Sequence, residues 1–268
     1  MKHLLNIVGF VLAAALLGGC TKNSSAGFQG YIEGEYVYVA APLGGALANL
    51  AVARGDQAKK GQLLFELERQ SEAAALAQAE KNLAQANASL TLSSSTFQRR
   101  KELRDSPSGV ISAEELDQAR SQRDVDAGQV AALAAARDKA KWAFDQKQQF
   151  APADAPVHDT LYRRGEWVAA GNPVVALLPP ENLKVRFFVP HEKLPQIKVG
   201  QSVSIASYGA AHVFNAVVNY ISTQAEYTPP VIYSRETRAE LVFMIEAKFS
   251  PADAADMRPG QPVDVRLN

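Results

Sequence analysis

One feature constrains the fold of this chain more than any other: a short repeat with a long foreign segment between its halves. Ala41-Pro42 recurs as Ala151-Pro152, an offset of 110 residues, and the same offset pairs Gly55 with Gly165, Asp56 with Glu166, Gly61 with Gly171, Leu64 with Val174 and Leu67 with Leu177. No gap is needed. In each half, short apolar stretches are broken by a Gly-acidic pair, where glycine supplies a positive φ at little steric cost. Leu47 to Val52 and Leu63 to Leu67 flank the turn at Gly55-Asp56, and Leu161-Tyr162 and Val174 to Leu178 flank the turn at Gly165-Glu166. Two such halves predict a small β-sandwich with pseudo-twofold symmetry. The halves differ where Asp154-Ala155-Pro156 stands opposite Gly44-Gly45-Ala46. A different turn and a looser sandwich are expected there.

The segment between the halves has another character. Residues 71–104 lack Gly and Pro and contain eight alanines, and Leu76, Leu83, Leu90 and Phe97 recur every seven residues. That is the spacing of a coiled-coil seam. Ser106-Pro107-Ser108-Gly109 breaks the pattern. Ser112 then stands three residues before Glu115, the signature of a capping box that opens a second helix. This second stretch runs from Ala113 to about Gln148, with Ala119, Leu133 and Ala140 on a less regular seam. Arms of this length reach about 50 Å each at 1.5 Å per residue. The spacing predicts a long αα-hairpin. Its 11 basic and 11 acidic residues between 71 and 149 balance, so its faces are solvated rather than membrane-binding.

Beyond Glu181 the pattern returns to strands: Leu183 to Val189, Gln201 to Ala206, Val213 to Ser222, Glu240 to Ala247 and Val263 to Leu267. Gly200-Gln201-Ser202-Val203 is echoed by Gly260-Gln261-Pro262-Val263. Five to six short strands with Gly and Pro turns predict a small β-barrel. The N-terminus is a targeting segment. Lys2 and His3 precede an apolar run from Leu4 to Leu17, too short to span a bilayer, which takes about 20 residues. Leu17-Gly18-Gly19-Cys20, carrying the sole cysteine, resembles the bacterial lipobox, which implies cleavage before Cys20 and acylation there.

Composition excludes several functions. The 268 residues carry 28 Lys+Arg and 28 Asp+Glu, so no basic excess points to nucleic acid. One cysteine forms no intramolecular disulfide and no Cys/His zinc pattern, so neither a metal nor a cofactor is expected. His158-Asp159 are only sequence neighbours, and with His191 and His212 they make no catalytic set; the chain is not expected to be an enzyme. A sandwich of this kind can serve as a lipoate or biotin carrier. That chemistry needs a lysine in a tight hairpin between the halves, in an Asp-Lys-Ala or Met-Lys-Met setting; here the whole helical insert takes the place of that hairpin, and Asp138-Lys139-Ala140 lies inside its second helical stretch.

Together these features resemble the periplasmic adaptor, or membrane fusion, proteins of the HlyD/AcrA type. The resemblance covers essentially the whole mature chain. It implies a mixed α and β, elongated fold: a signal peptide at 1–19, a lipid-anchored tether and first strand at 20–35, a lipoyl-like barrel-sandwich hybrid at 36–70 and 150–180, an α-helical coiled-coil hairpin at 71–149 interrupting it, and a β-barrel at 181–268. The segment from Tyr227 to Arg238 is similar to the barrel of adaptors that serve ABC-type exporters. The resemblance implies an inner-membrane pump, ABC-type favoured, a TolC-like outer-membrane channel and assembly as a hexamer. Two prolines and a mixed-charge stretch between strands make the Tyr227 to Arg238 segment a stiff exposed loop, with a pump contact around Tyr227, Ile232, Arg235 and Glu236 as one reading and a plain barrel connector as the other.

Family adaptors often carry an Arg…Leu…Ser pattern at the hairpin tip for channel docking. Arg99, Leu103 and Ser112 match it, although Leu103 to Ser112 is about two residues longer than usual. Ser112 as a plain helix cap, Leu103 as a seam residue and Arg99 as a solvated charge are the alternative. A lipoprotein scaffold without a transport role is the rival function. Thr21 after Cys20 is similar to an outer-membrane sorting signal, whereas the architecture favours a periplasmic, lipid-anchored protein at the inner membrane.

Overall fold

The glycine turns and the 110-residue offset become symmetry in three dimensions. A computed structural model describes residues 27–107, 109–207, 213–227, 241–254 and 257–268. The signal segment and Cys20, and Ile232, Arg235 and Glu236 of the expected pump contact, lie outside the described residues, as does His212. The chain divides into two units, Glu35–Pro179 and Met1–Gly34 with Pro180–Asn268.

The first unit holds the sandwich and the hairpin. Its strands are β2 (Val37–Ala40), β3 (Gly45–Leu50), β4 (Gln57–Ala58), β5 (Leu63–Leu67), β6 (Gln148–Phe150), β7 (Ala155–Thr160), β8 (Trp167–Val168) and β9 (Pro173–Leu177). Shifted by 110 residues, β3, β4 and β5 coincide end to end with β7, β8 and β9. Gly55 and Gly165 both have φ of 92°, and Gly61 and Gly171 have 80° and 79°. The halves are exchanged rather than stacked side by side. β4 pairs with β7 and β8 with β3, so the sheets run β2-β9-β7-β4 and β6-β5-β3-β8. Gly55 N donates to Val157 O, and Gly165 N to Leu47 O, at 2.9 and 2.8 Å.

The core between these sheets is fully closed: Leu64, Phe65, Leu67, Val168, Val174, Val175 and Leu177 have no exposed surface. The looser second half expected from Asp154-Ala155-Pro156 does not occur. Asp154 finds its own partner, accepting a bond from Lys60 N at 2.7 Å, and the strand that follows keeps the span of its counterpart.

The hairpin consists of α1 (Gln70–Asp105) and α2 (Ala113–Asp145). They are spliced into two neighbouring strands of one sheet, β5 leading into α1 and α2 into β6. The heptad seam is narrow. Ala86 and Ser93 are the buried residues of α1, and Leu116 and Ala119 those of α2. Leu76, Leu83, Leu90 and Phe97 are half-buried beside them.

The second unit is a closed antiparallel barrel in the order β1-β10-β13-β12-β11-β14. Its strands are β1 (Phe28–Gly34), β10 (Leu183–Pro190), β11 (Ser202–Ser207), β12 (Val213–Tyr227), β13 (Leu241–Phe249) and β14 (Pro262–Leu267). Residues 181–268 alone do not close it. β1, grouped with the tether in the sequence reading, is the sixth strand and pairs with both β10 and β14. Sequence pattern undervalues β1 because its register partners lie some 150 or more residues away. Gly30 of β1 is required there, since a Cβ would fall 2.5 Å from Arg186 O and 2.7 Å from Phe187 Cβ. Ile32, Val185, Phe187, Val203, Ile205, Ile245 and Val265 fill the interior.

Opposite charges meet on the other face of the barrel strands. Lys184 and Arg186 pair with Glu246 at 2.9 Å each, and Arg186 also reaches Glu33 at 2.7 Å. Burial pushes the Glu246 carboxyl up, but Lys184 and Arg186 more than offset this and hold it below the usual carboxylate range.

Candidate functional site: the hairpin tip

At the far end of α1 the helix runs out at Ser106, whose backbone is extended with ψ of 155°. Ser106 Oγ donates to Leu103 O at 2.6 Å, closing one of the carbonyls a helix end leaves open. Gly109 adopts φ of 50° and its N–H donates to Ser106 O at 3.0 Å, turning the chain back. Ser112 then caps α2 as its spacing predicts. Glu115 N donates to Ser112 Oγ at 3.2 Å, and Ser112 N and Oγ donate to Glu115 Oε2 at 3.0 and 2.9 Å. These bonds, from the Ser112 backbone N–H first and its hydroxyl second, hold the Glu115 carboxyl below its ordinary value.

Two adjacent arginines take different roles. Arg100 Nη1 donates to Glu115 O at 3.0 Å and ties the helices together just below the tip. Arg99 points to solvent and reaches only Thr96 Oγ1, at 3.4 Å on its own helix. Leu103, one turn further along the same face, is 48% exposed. Arg99 and Leu103 therefore form an open pair with a donor and an apolar group, while Ser112 opens the facing helix with its hydroxyl engaged in the cap. Arg100 was not singled out from the sequence. Continuing the heptad three residues past Phe97 lands on it and would have found it as the seam arginine. Val110, 66% exposed in the tip loop, had no such periodic signal.

The long sides of the hairpin differ in chemistry. One carries an open groove of about 540 Å³ whose walls include Ser89, Thr96, Gln118 and Gln122; a second, of about 340 Å³, continues it past Asn82 and Gln129. Hydroxyls and amides share this side with Leu92, Ala119, Arg100 and Asp126. By heptad position Arg99 and Leu103 extend it toward the tip. On the other side, nearer the tip, Arg123 lies over the Phe97 ring at 4.4 Å and Arg120 at 5.9 Å, each paired with a carboxylate of its own helix, Asp124 and Asp117.

The remaining candidates are dispersed. Tyr227 ends β12. His158 stacks on Tyr36 at 4.2 Å, and His191 begins a short 3-10 turn, His191–Gln196. Among the described residues no helix is long and apolar enough to cross a membrane.

A hairpin spliced into a lipoyl-like sandwich, with a six-stranded barrel in the same chain, is the architecture that the sequence resemblance implies. The chain is similar to membrane fusion, or periplasmic adaptor, proteins in its hairpin sequence and in its fold. Residues 75–147 match the family described as RND MFP, alpha-helical hairpin domain. The membrane protein YbhG of Salmonella typhi is 27% identical over 98% of this chain and 97% of its own length. The membrane fusion protein Spr0693 of Streptococcus pneumoniae R6 shares the fold with a TM-score of 0.65 at 20% identity, covering 90% of this chain and 97% of that one. The periplasmic adaptor protein EmrA aligns with a TM-score of 0.51 at 16% identity, over 89% and 97%.

Proposed function

We propose that this protein is the lipid-anchored adaptor of a tripartite exporter, joining an inner-membrane pump of the ABC type to a TolC-like outer-membrane channel. The observation that carries the docking half of this reading is the pair Arg99 and Leu103. Both side chains are exposed on a helix whose end is fixed by the Ser112 cap and the Arg100 bridge. Arginine offers five fixed donors and keeps its charge, so it can satisfy several acceptors of a partner helix at once. Leu103 would enter an apolar notch between such helices. The open groove along the hairpin supports assembly of several copies, because the hairpin of the next copy can cover it around a closed ring. Six copies are the number the family resemblance implies.

Loss of one such anchor costs about 1–3 kcal/mol per site, or about 5- to 150-fold in affinity, and a ring repeats that loss. The Arg99→Asp and Leu103→Ser proteins should stay folded and membrane-bound yet lose channel capture and export. Ser112 needs two variants: Ser112→Asp keeps a capping acceptor, and Ser112→Arg removes it. If capture survives Arg99→Asp together with Leu103→Ser, the tip does not dock.

The finer parts have separate tests. Labelled palmitate should enter the wild type and be absent from Cys20→Ser, and fractionation should find the protein in the inner membrane despite Thr21. Photo-cross-linkers at Ile232 and Glu236 should capture the pump; silence with normal export would leave only the connector reading of 227–238. The matching hairpin family is described for RND adaptors, so the pump class needs its own measurement. An ABC-type partner predicts ATPase activity in the co-purified complex, and a captured pump without it would overturn that part alone.

A further inference from the structure

The two halves of the sandwich are related by 110 residues, and their departures from symmetry fall together at the hairpin root. β2 (Val37–Ala40) corresponds to residues 147–150, so Lys147 stands where the first half has Val37. Gly44-Gly45 stands where the second half has Asp154-Ala155. These departures touch one another. Lys147 Nζ donates to Gly44 O at 2.6 Å. A Cβ on Gly45 would fall 3.1 Å from the same nitrogen, tighter than ordinary contact. The ammonium is completed by Glu72 Oε1 at 3.0 Å.

Each partner belongs to a different piece of the unit. Glu72 lies in the first turn of α1, Lys147 two residues past the end of α2, and Gly44 at the entry to β3. Lys147 is only 5% exposed, and a buried ammonium is costly unless it is paired and hydrogen-bonded. Valine serves at the matching place in the other half, so closing the sandwich does not by itself require a lysine. A second tie lies beside it. Arg69 pairs with Glu66 at 2.7 Å and lies over the Phe144 ring at 4.4 Å, while Gln148 donates to Glu66 at 3.1 Å.

We infer that Lys147, seated against Gly44-Gly45 and Glu72, is a positioning residue that fixes the direction in which the hairpin leaves the sandwich. The helices join their strands through links of two residues each, 68–69 and 146–147. Such links pivot unless something crosses them, and Lys147 crosses both. The lever is long: α1 spans about 54 Å at 1.5 Å per residue, so a slack of about 10° at the root moves the tip by about 9 Å. A tip that must meet a partner in register tolerates far less. The inference stands on the root alone and does not depend on what the tip contacts.

Double electron–electron resonance on the full-length protein in lipid tests it. Spin labels carried on p-acetylphenylalanine at Lys59 and Lys101 report across the root, and a pair at Lys81 and Lys139 reports within the hairpin. Lys147→Met, which keeps the side-chain length and removes the charge, should broaden the Lys59–Lys101 distribution about twofold or more and leave the Lys81–Lys139 pair unchanged. An unchanged root distribution overturns the inference. So does equal broadening of both pairs, because the lysine would then hold the helices rather than their direction. Should Lys147→Met fail to fold, Gly45→Ala decides. It keeps the lysine and only crowds its Nζ, and an unchanged root distribution there is equally fatal.

Discussion

The two ends of the hairpin are built on opposite principles. At the root, three chain segments converge on one buried ammonium, a guanidinium stacks on a phenyl ring, and glycines leave no spare room. At the tip, the cross-helix bond from Arg100, the capping box and the short bonds of Ser106 and Gly109 hold the turn, and Arg99, Leu103 and Val110 are left in solvent. The difference teaches where such a lever must be stiff. Angular error at the base is multiplied along the arm, whereas side-chain freedom at the end lets a contact surface adapt.

The sharpest way to break this comparison is to remove the root ion. Lys147→Ala should cost about 3 kcal/mol, since it leaves Glu72 without its partner in a partly buried site. Urea unfolding would show it as a lower midpoint at unchanged slope, and a loss well below 1 kcal/mol would make the root no firmer than the tip. Next comes Gly45→Val, which overpacks the same place and should cost about 2 kcal/mol. The pseudo-symmetric Ala155→Val offers the matched substitution in the half where Val37 stands in place of Lys147. At the tip, Ser112→Ala should cost about 1 kcal/mol, the usual worth of an N-cap. Hydrogen exchange should place the change in the first turn of α2, and Ser112→Asp should restore most of it.

Acid acts on both ends with one sign. Burial pushes Glu72 up, but the Lys147 and Ser71 side chains outweigh it and hold the carboxyl below its ordinary value of 4.5. Its contribution is therefore complete above that pH and is lost as pH falls through the lower folded value. Glu115 follows the same rule through its bonds from Ser112. Thermal melts should be level from pH 7 to about pH 5 for these groups and fall only in stronger acid. A fall already between pH 7 and 6 would assign the stability to other groups. The smallest expected effect on folding is that of Arg99→Asp, within about 0.5 kcal/mol for an exposed residue, and this is what makes any loss of channel capture in that variant informative.

Much of the fold was legible because its signals are local. The capping box at Ser112 needs four residues, the Gly55 and Gly165 turns need two, and the heptads of α1 need only their own spacing. The tip was half legible. Pattern found Arg99, Leu103 and Ser112, but not that Arg100 would be the bridging arginine or that the Ser112 hydroxyl would be held by Glu115. Adjacent arginines are alike in composition; heptad position singles out Arg100 for the seam, but its bond to Glu115 O exists only once α2 packs against α1. The root was hidden: Gly44-Gly45 against Asp154-Ala155 was visible as a break in the repeat, but it pointed to a looser turn at Asp154 and not to Lys147 seated beside Gly44-Gly45.

By itself, the sequence determined which segments are helices and strands, where they turn, and that two halves repeat around an insert, because turn chemistry and hydrophobic period act over a few residues. The tertiary structure alone decided that β4 and β8 change halves, that β1 closes the barrel, and that Lys147 clasps a carbonyl 103 residues away. Those outcomes depend on which groups meet once the chain has collapsed, when a buried charge must take whichever acceptor geometry brings within reach.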